Sequence, residues 1–267
     1  MRETHGYAPV NGLQMYYEIE GTGAPLVFIP PAFGFAGQKS FPTLIDSHAV
    51  ITVDLQGHGR TADIPDRPLT IEQHAEDVIA LLKHLDVSSA DFLGESYGGN
   101  TAAVIAVRQP GIVRRLATYS ATFSPPPSTL DPATTHYARP PSAETRDILF
   151  QRESYQKVAP DPKYWPKIYE KLGQMQWGGL SKAELSSINA PMLIIQGDHD
   201  FVRLEHSVEI VKLIPRAELA VIPSASHFAL SSEPERIMPI IKHFFEKSDE
   251  QLPLATAELG YHPGETR

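Results

Sequence analysis

Residues 92–100, Phe92-Leu93-Gly94-Glu95-Ser96-Tyr97-Gly98-Gly99-Asn100, leave this chain very few ways to fold. An apolar run from Ala90 to Leu93 enters a G-x-S-x-G sequence, and a helical pattern from Asn100 to Val107 leaves it. A strand that turns into a helix this abruptly brings the two backbones close together. Side chains at 94 and 98 would collide there, and Ser96 is held at strained backbone angles. Its hydroxyl is then exposed at the helix N-terminus, where the Tyr97 amide and the helix dipole favour negative charge. The same letters could mark an ordinary serine-capped helix start. Their place at the fifth apolar strand of an alternating chain argues for a nucleophile instead.

That alternation begins after a hairpin. Val10 and Leu13 flank Asn11-Gly12, a pair suited to the two positive φ angles of a type I′ turn, and Leu13 to Glu20 continues as a strand. Pro25 to Pro30 and Ala49 to Leu55 are apolar almost without interruption, as strands covered on both faces by helices must be. Thr70 with Gln73 spells a capping box, and Ile71, Ala75, Val78, Leu82 and Leu85 fall on one face of the helix behind it. Leu116 to Ser120 is a further strand. Strand and helix in alternation predict a mostly parallel sheet with right-handed crossovers.

The rhythm breaks at Phe123. From there to Pro166 the chain holds nine prolines and no strand-like run. Helix starts are expected at Ser142, at Asp161-Pro162 and at Ser181 with Glu184. Tyr164, Trp165, Ile168, Tyr169 and Trp177 make the segment too apolar for a disordered linker. Residues 122–187 are therefore read as a mostly helical insertion stiffened by proline-rich joints, and 1–121 with 188–267 as one α/β core. Alternation resumes with a strand at Met192 to Ile195, a helix at His206 to Leu213, a strand at Leu219 to Ile222 and a helix at Pro234 to Phe245. Residues 248–267 show little periodicity and are expected to pack loosely or to serve self-association.

Composition narrows the function classes. Of 267 residues, 23 are Lys or Arg and 32 Asp or Glu, a net charge of −9 that disfavours nucleic acid and anionic membranes as partners. Cysteine is absent, which excludes disulfide scaffolds, thiolate metal sites and thiol nucleophiles. No apolar run is long enough to cross a bilayer. The first residues, Met1 to Gly6, lead into no apolar signal region, so a cytoplasmic location is expected.

A serine hydroxyl is a weak nucleophile without a base and a group to orient that base. Two later segments supply candidates. Gln196-Gly197-Asp198-His199-Asp200 leaves one strand with two carboxylates, and Ser224-Ala225-Ser226-His227 leaves the last strand with an imidazole. Both lie at the carboxyl edge of the sheet, where functional groups of open α/β folds collect. His227 would take the Ser96 proton, and a carboxylate would fix its tautomer.

With Asp54-Leu55-Gln56-Gly57-His58-Gly59-Arg60, the serine elbow, Pro191 to Gly197 and Ser226-His227, the chain resembles an α/β-hydrolase of the single-cap esterase/haloperoxidase-like group, up to about residue 247. The resemblance implies an eight-stranded sheet with a helical cap, a Ser96–His227–Asp200 triad, and no metal or cofactor. Its G-x-x-D spacing selects Asp200 over Asp198. It also implies an oxyanion hole from the loop after the third strand, where relatives carry His-Gly and this chain has Pro30-Pro31-Ala32-Phe33. Proline has no N–H, so the donors would be the amides of Tyr97 and Ala32, with Phe33 as the alternative to Ala32.

The implied activity is hydrolysis of small-molecule carboxylic esters through an acyl-enzyme. Haloperoxidase or perhydrolase, lactonase and C–C hydrolase chemistry would use the same triad, and a slow-turnover small-molecule receptor is the reading outside enzymes. Phe33 and Trp177 are candidate pocket walls. Asp198-His199-Asp200 is not read as a metal site, because adjacent residues rarely converge on one ion. His58 is assigned to a tight turn, and His74 and His84 to a helix surface.

Overall fold

Asn11 and Gly12 take φ values of +48° and +84°, and join β1 (Thr4–Val10) to β2 (Leu13–Gly21) in an antiparallel hairpin. The structure is a computed structural model that describes residues 4–38, 41–125, 128–131, 146–248 and 251–252. In β3 (Ala24–Ile29), Leu26 and Phe28 face one side of the sheet and Val27 and Ile29 the other, and all four are buried. That double burial explains why the run does not alternate. β4 (His48–Val53), β5 (Ala90–Glu95), β6 (Val113–Tyr119) and β7 (Met192–Gly197) are mostly buried in the same way. β8 (Ala217–Ile222), at the sheet edge, is only half-buried.

The sheet has eight strands in the order β1-β2-β4-β3-β5-β6-β7-β8. β2 is antiparallel to β1 and β4, and every other neighbouring pair is parallel. From β3 the chain steps out to β4, then returns to β5 on the opposite side of β3. Winding therefore reverses between β3 and β5. The carboxyl ends of those two strands border the crevice in which such sheets place their ligands.

Nine α-helices are described: α1 (Pro42–Ile45), α2 (Ile71–His84), α3 (Tyr97–Arg108), α4 (Arg146–Val158), α5 (Trp165–Gln174), α6 (Lys182–Ser186), α7 (Leu204–Leu213), α8 (Ala229–Ser232) and α9 (Pro234–Glu246). α2, α3 and α7 cover the face that presents Val27, Ile29 and Phe92. α8 and α9 cover the face that presents Leu26, Phe28 and Leu93. α9 keeps its course through Pro239 because that residue lies on the exposed side, while Ile237, Met238, Ile241, Phe244 and Phe245 are buried.

Several local expectations need correction or refinement. Thr70 accepts the Gln73 amide at 3.0 Å, but the Gln73 side chain donates to Asp77 at 3.0 Å, so only half of the capping box forms. Ser181 and Glu184 form a complete one. Asp161 caps a 3₁₀ turn, Pro162–Tyr164, that runs directly into α5. The helix start expected at Ser142, and residues 253–267 of the tail, lie outside the described residues. His84 is exposed as expected, but His74 is fully buried. Its Nδ1 shares a 2.7 Å hydrogen bond with the Tyr97 hydroxyl.

His58 is buried beside it, with ring centroids 6.0 Å apart. Its Nδ1 lies 2.9 Å from the Gln56 carbonyl oxygen and donates to it. Burial lowers the pKa of both rings, His74 the further, and the two rings disfavour each other's charge. Asp54 is buried nearby, where its carboxylate accepts the amides of Ala36 at 2.6 Å and Arg60 at 2.7 Å. Burial pushes it up to about 7 against the pull of those amides and of the Arg60 side chain.

Phe244→Ala empties a fully buried site and should cost about 3–5 kcal/mol of stability. A denaturation midpoint that falls by less than the equivalent of about 1 kcal/mol would contradict the packing. The histidines set a pH dependence. Unfolded histidine titrates near 6.5, so the unfolded chain binds more protons than the native one below that value, and stability falls as pH drops from about 6.5 toward 5. Asp54 has the opposite sign, since its neutral form is favoured as pH falls through about 7. His74→Gln separates the two effects: its unfolding temperature should fall less between pH 7 and pH 5 than that of the wild type. Equal losses would remove His74 from the account.

Candidate active site

The turn after β5 is as tight as the sequence requires. Ser96 adopts φ +50° and ψ −112°, a region that side chains rarely occupy. A Cβ on Gly94 would stand 2.6 Å from the Gly99 Cα, and one on Gly98 would overlap the Ile29 carbonyl oxygen. Glycine is thus demanded by contact at both positions. The strained serine is fixed from both sides. Its amide donates to the Tyr119 carbonyl at 2.7 Å, and its carbonyl accepts the Asn100 amide at 3.1 Å. The Asn100 side chain in turn accepts the Thr122 and Phe123 amides at 3.0 Å each, which ties α3 to the chain leaving β6.

Asp200 and His227 come from the loops after β7 and β8, and those loops are zipped together. The His199 amide donates to the Ala225 carbonyl at 3.0 Å. The Ala225 amide donates to Asp198 Oδ1 at 3.3 Å. Of the two carboxylates, exposed Asp198 braces the loop and buried Asp200 faces the imidazole. Asp200 Oδ1 lies 2.8 Å from His227 Nδ1 and accepts the Val202 amide at 2.9 Å, while its Oδ2 accepts the Ser120 hydroxyl. A ring nitrogen facing a carboxylate carries the proton of the neutral imidazole. The other nitrogen, Nε2, is then a lone pair, and it lies 2.9 Å from Ser96 Oγ. Tyr119 steadies the histidine loop by donating its hydroxyl to the Ser226 carbonyl at 2.6 Å. Burial and the nearby Asp200 charge raise the Tyr119 pKa well above its ordinary value, so it stays a neutral donor.

The structure therefore brings Ser96, His227 and Asp200 into one hydrogen-bonded chain. It adds Ser120, which the sequence did not single out. Ser120 sits at φ +55°, and its amide bonds to the Ile195 carbonyl at 2.9 Å, so its hydroxyl meets Asp200 only through the pairing of β6 with β7. No local pattern announces that meeting.

The loop after β3 lies against the elbow, because Gly98 packs on the Ile29 and Pro30 carbonyls. Ala32 is half-buried in this loop. The Gly34 amide closes a turn onto the Pro31 carbonyl at 2.8 Å, and the Ala36 amide bond to Asp54 anchors the far end. Residues 30–34 thus abut the first turn of α3, which carries the Tyr97 amide. Phe33, at φ +63°, meets Trp165 and Tyr169 of α5, with ring centroids 4.9 Å and 6.1 Å away, and His58 at 6.4 Å. Trp177 packs half-buried against the face of the core covered by α2 and α3. Its indole N–H has no partner among the described residues.

The segment between β6 and β7 is fastened to the loop after β4. Lys171 on α5 places its ammonium 2.7 Å from Asp63 Oδ2, with the carbonyls of Ile64 at 3.0 Å and Arg67 at 2.8 Å around it. Tyr164 and Gln56 complete the Asp63 carboxylate at 2.9 Å and 2.6 Å. Ile168 lies directly over Gly57, where a side chain would collide with it.

A model of the alpha/beta hydrolase family matches residues 26–239. Among curated proteins, the 2-hydroxymuconate semialdehyde hydrolase of Pseudomonas sp. (strain CF600) is 26% identical over 261 residues, with 89% of this chain and 92% of that one covered. The human serine hydrolase BPHL is 25% identical over 234 residues, covering 84% of this chain and 80% of its own. Among solved structures, the 2-hydroxy-6-oxo-6-phenylhexa-2,4-dienoate hydrolase of Rhodococcus sp. strain RHA1 shares the fold, with a TM-score of 0.78 at 20% identity over 92% of this chain and 99% of that one. From the family match over most of its length and the sheet order it adopts, this chain belongs to the alpha/beta hydrolase family.

Proposed function

We propose that this protein is a serine hydrolase that cleaves carboxylic esters through an acyl-enzyme on Ser96. The observation that carries the reading is the pair of bonds on one imidazole, His227 Nε2 to Ser96 Oγ at 2.9 Å and His227 Nδ1 to Asp200 Oδ1 at 2.8 Å. In the reaction, Ser96 Oγ attacks the ester carbonyl as its proton passes to His227 Nε2, and Asp200 stabilises the imidazolium that results. The tetrahedral oxyanion is received by the amides of Tyr97 and Ala32, each worth about 3 kcal/mol of transition-state stabilisation. His227 then gives its proton to the leaving alkoxide. A water, deprotonated by the same nitrogen, releases the acid and restores Ser96.

On this reading, residues 122–187 act as the cover of the substrate site. Support comes from the contact of Trp165 and Tyr169 with Phe33, the neighbour of the proposed oxyanion donor Ala32. A second reading draws on the 26%-identical relative that is named a 2-hydroxymuconate semialdehyde hydrolase. The same triad would act on a carbonyl whose leaving group is carbon rather than oxygen.

Turnover of p-nitrophenyl acetate and butyrate tests the first reading. Ser96→Ala should lower kcat by three orders of magnitude or more, and Asp200→Asn by about 10⁴-fold, since it leaves the imidazole in the wrong tautomer. A fluorophosphonate should label the wild type once, on the peptide that contains Ser96. Ester turnover that survives Ser96→Ala would end the assignment. Enzyme that takes the label but ignores esters, while cleaving a 1,5-diketone, would favour the carbon leaving group. A single stoichiometric acylation with no further turnover would favour a receptor.

A further inference from the structure

The polar edges of the His227 ring are spoken for by Ser96 and Asp200, which leaves its two faces. One face is covered by Phe201. The ring centroids are 3.8 Å apart and the planes 23° from parallel, a full face-to-face stack. Phe228 meets the imidazole edge-on at 5.4 Å and 81°, and the two phenyl rings are 6.4 Å apart. We infer that Phe201 is a positioning residue: its ring face holds the His227 imidazole in the plane that joins Ser96 to Asp200, and it faces the positive charge that the ring takes up as Ser96 attacks. The inference rests on the triad reading given above.

The segment that carries Phe201 is itself rigid. The Phe201 carbonyl accepts the Asp131 amide at 2.8 Å, and the Arg203 amide donates to the Thr129 carbonyl at 2.9 Å. Val202 bridges Leu130, and its amide is held by Asp200 Oδ1 at 2.9 Å. The backbone on either side of the Phe201 ring is thus tied to the carboxylate that orients the histidine and to residues 129–131. For the imidazole to turn about its Cβ–Cγ bond, it would have to break two hydrogen bonds and also unstack from Phe201.

Charge gives the stack a second role. Against a neutral imidazole the contact is mainly dispersion. Against an imidazolium the negative face of the phenyl ring adds an electrostatic attraction. In the mechanism proposed above, the charge on His227 develops only as Ser96 gives up its proton. The added attraction therefore exists in the transition state and not in the ground state, which is the condition for raising kcat rather than lowering KM. Among the described residues, the charged group bonded to the ring is Asp200 at Nδ1, while Asp198 and Tyr119 bond to the backbone of the histidine loop at the Ala225 amide and the Ser226 carbonyl.

The test compares wild type, Phe201→Leu, Phe201→Tyr and Ser96→Ala on p-nitrophenyl butyrate. Leucine keeps an apolar side chain of similar length but has no ring face. It should lower kcat about three- to fivefold, the size of a partly exposed cation–π contact, with KM unchanged and with an unfolding temperature close to that of the wild type. Tyrosine restores the ring and should restore kcat. The first-order rate of fluorophosphonate reaction at Ser96 should follow the same order. Leucine and tyrosine variants equal to the wild type in kcat would overturn the proposal. So would a leucine variant that raises KM alone, since that marks a substrate wall. A wild type that neither turns over the ester nor reacts at Ser96 defeats the triad reading, and this inference falls with it. That outcome is separable, because it appears before any Phe201 variant is compared.

Discussion

The constraint on which the molecule depends is the approach of α3 to the ends of β3 and β5, a contact between bare backbones. Gly94, Gly98 and Gly99 allow it, and Ser96 at φ +50° is its strained centre. Strain of this kind costs on the order of 1–3 kcal/mol and persists only where the surroundings over-determine it. Here they do, through the bond of the Ser96 amide to Tyr119, that of its carbonyl to Asn100, and the Asn100 side chain laid across the start of the next loop. The same approach presses residues 30–34 against the helix end. One backbone contact therefore sets the hydroxyl, the Tyr97 amide and the loop that carries Ala32.

How much of this was legible in the sequence depends on whether the deciding contact is local. The hairpin was legible because Asn11-Gly12 answers a local demand for positive φ, and the elbow because its glycines answer a local demand for space. That Ser96, a carboxylate at 198 or 200 and His227 all follow strand ends was legible from the alternation of strands and helices, while the choice of Asp200 rested on the family resemblance. Ser120 was not, because its meeting with Asp200 exists only through the register of β6 on β7, seventy-odd residues apart in sequence. His74 is a different case. It follows Ile71 by three positions and precedes Val78 by four, so the helical period already put it on the buried face. The expectation of a surface residue came from side-chain type and set the period aside. The buried ring was possible because the Tyr97 hydroxyl supplied a polar partner.

The segment between β6 and β7 was legible in character but not in placement. Proline-rich joints and aromatic residues forecast helices that need a partner surface, and nothing local says which surface that is. The structure answers with a cluster of polar atoms. Lys171 delivers its ammonium to Asp63 and to backbone carbonyls that no side chain advertises. Such a site is readable only once the loop from Gln56 to Arg67 has its shape.

A buried ion pair is weak grounds for stability, because desolvation offsets much of its attraction. Its geometry is more informative. An apolar side chain at 171 could rest against the core at many positions along the loop, whereas an ammonium surrounded by one carboxylate and several carbonyls has a single seat. With Lys171 seated, Ile168 falls over Gly57, and Trp165 and Tyr169 fall on Phe33. A shift of α5 by one turn would move those rings by about 5.4 Å and lose the contact altogether. Phe33 adjoins Ala32, so the polar anchor at Lys171 and the aromatic contacts of Trp165 and Tyr169 together join α5 to the loop beside Ser96. The loop beside Ser96 is thus held by interactions of opposite kind: a strained backbone contact with the start of α3, and aromatic contacts with an α5 whose place is set by a polar seat.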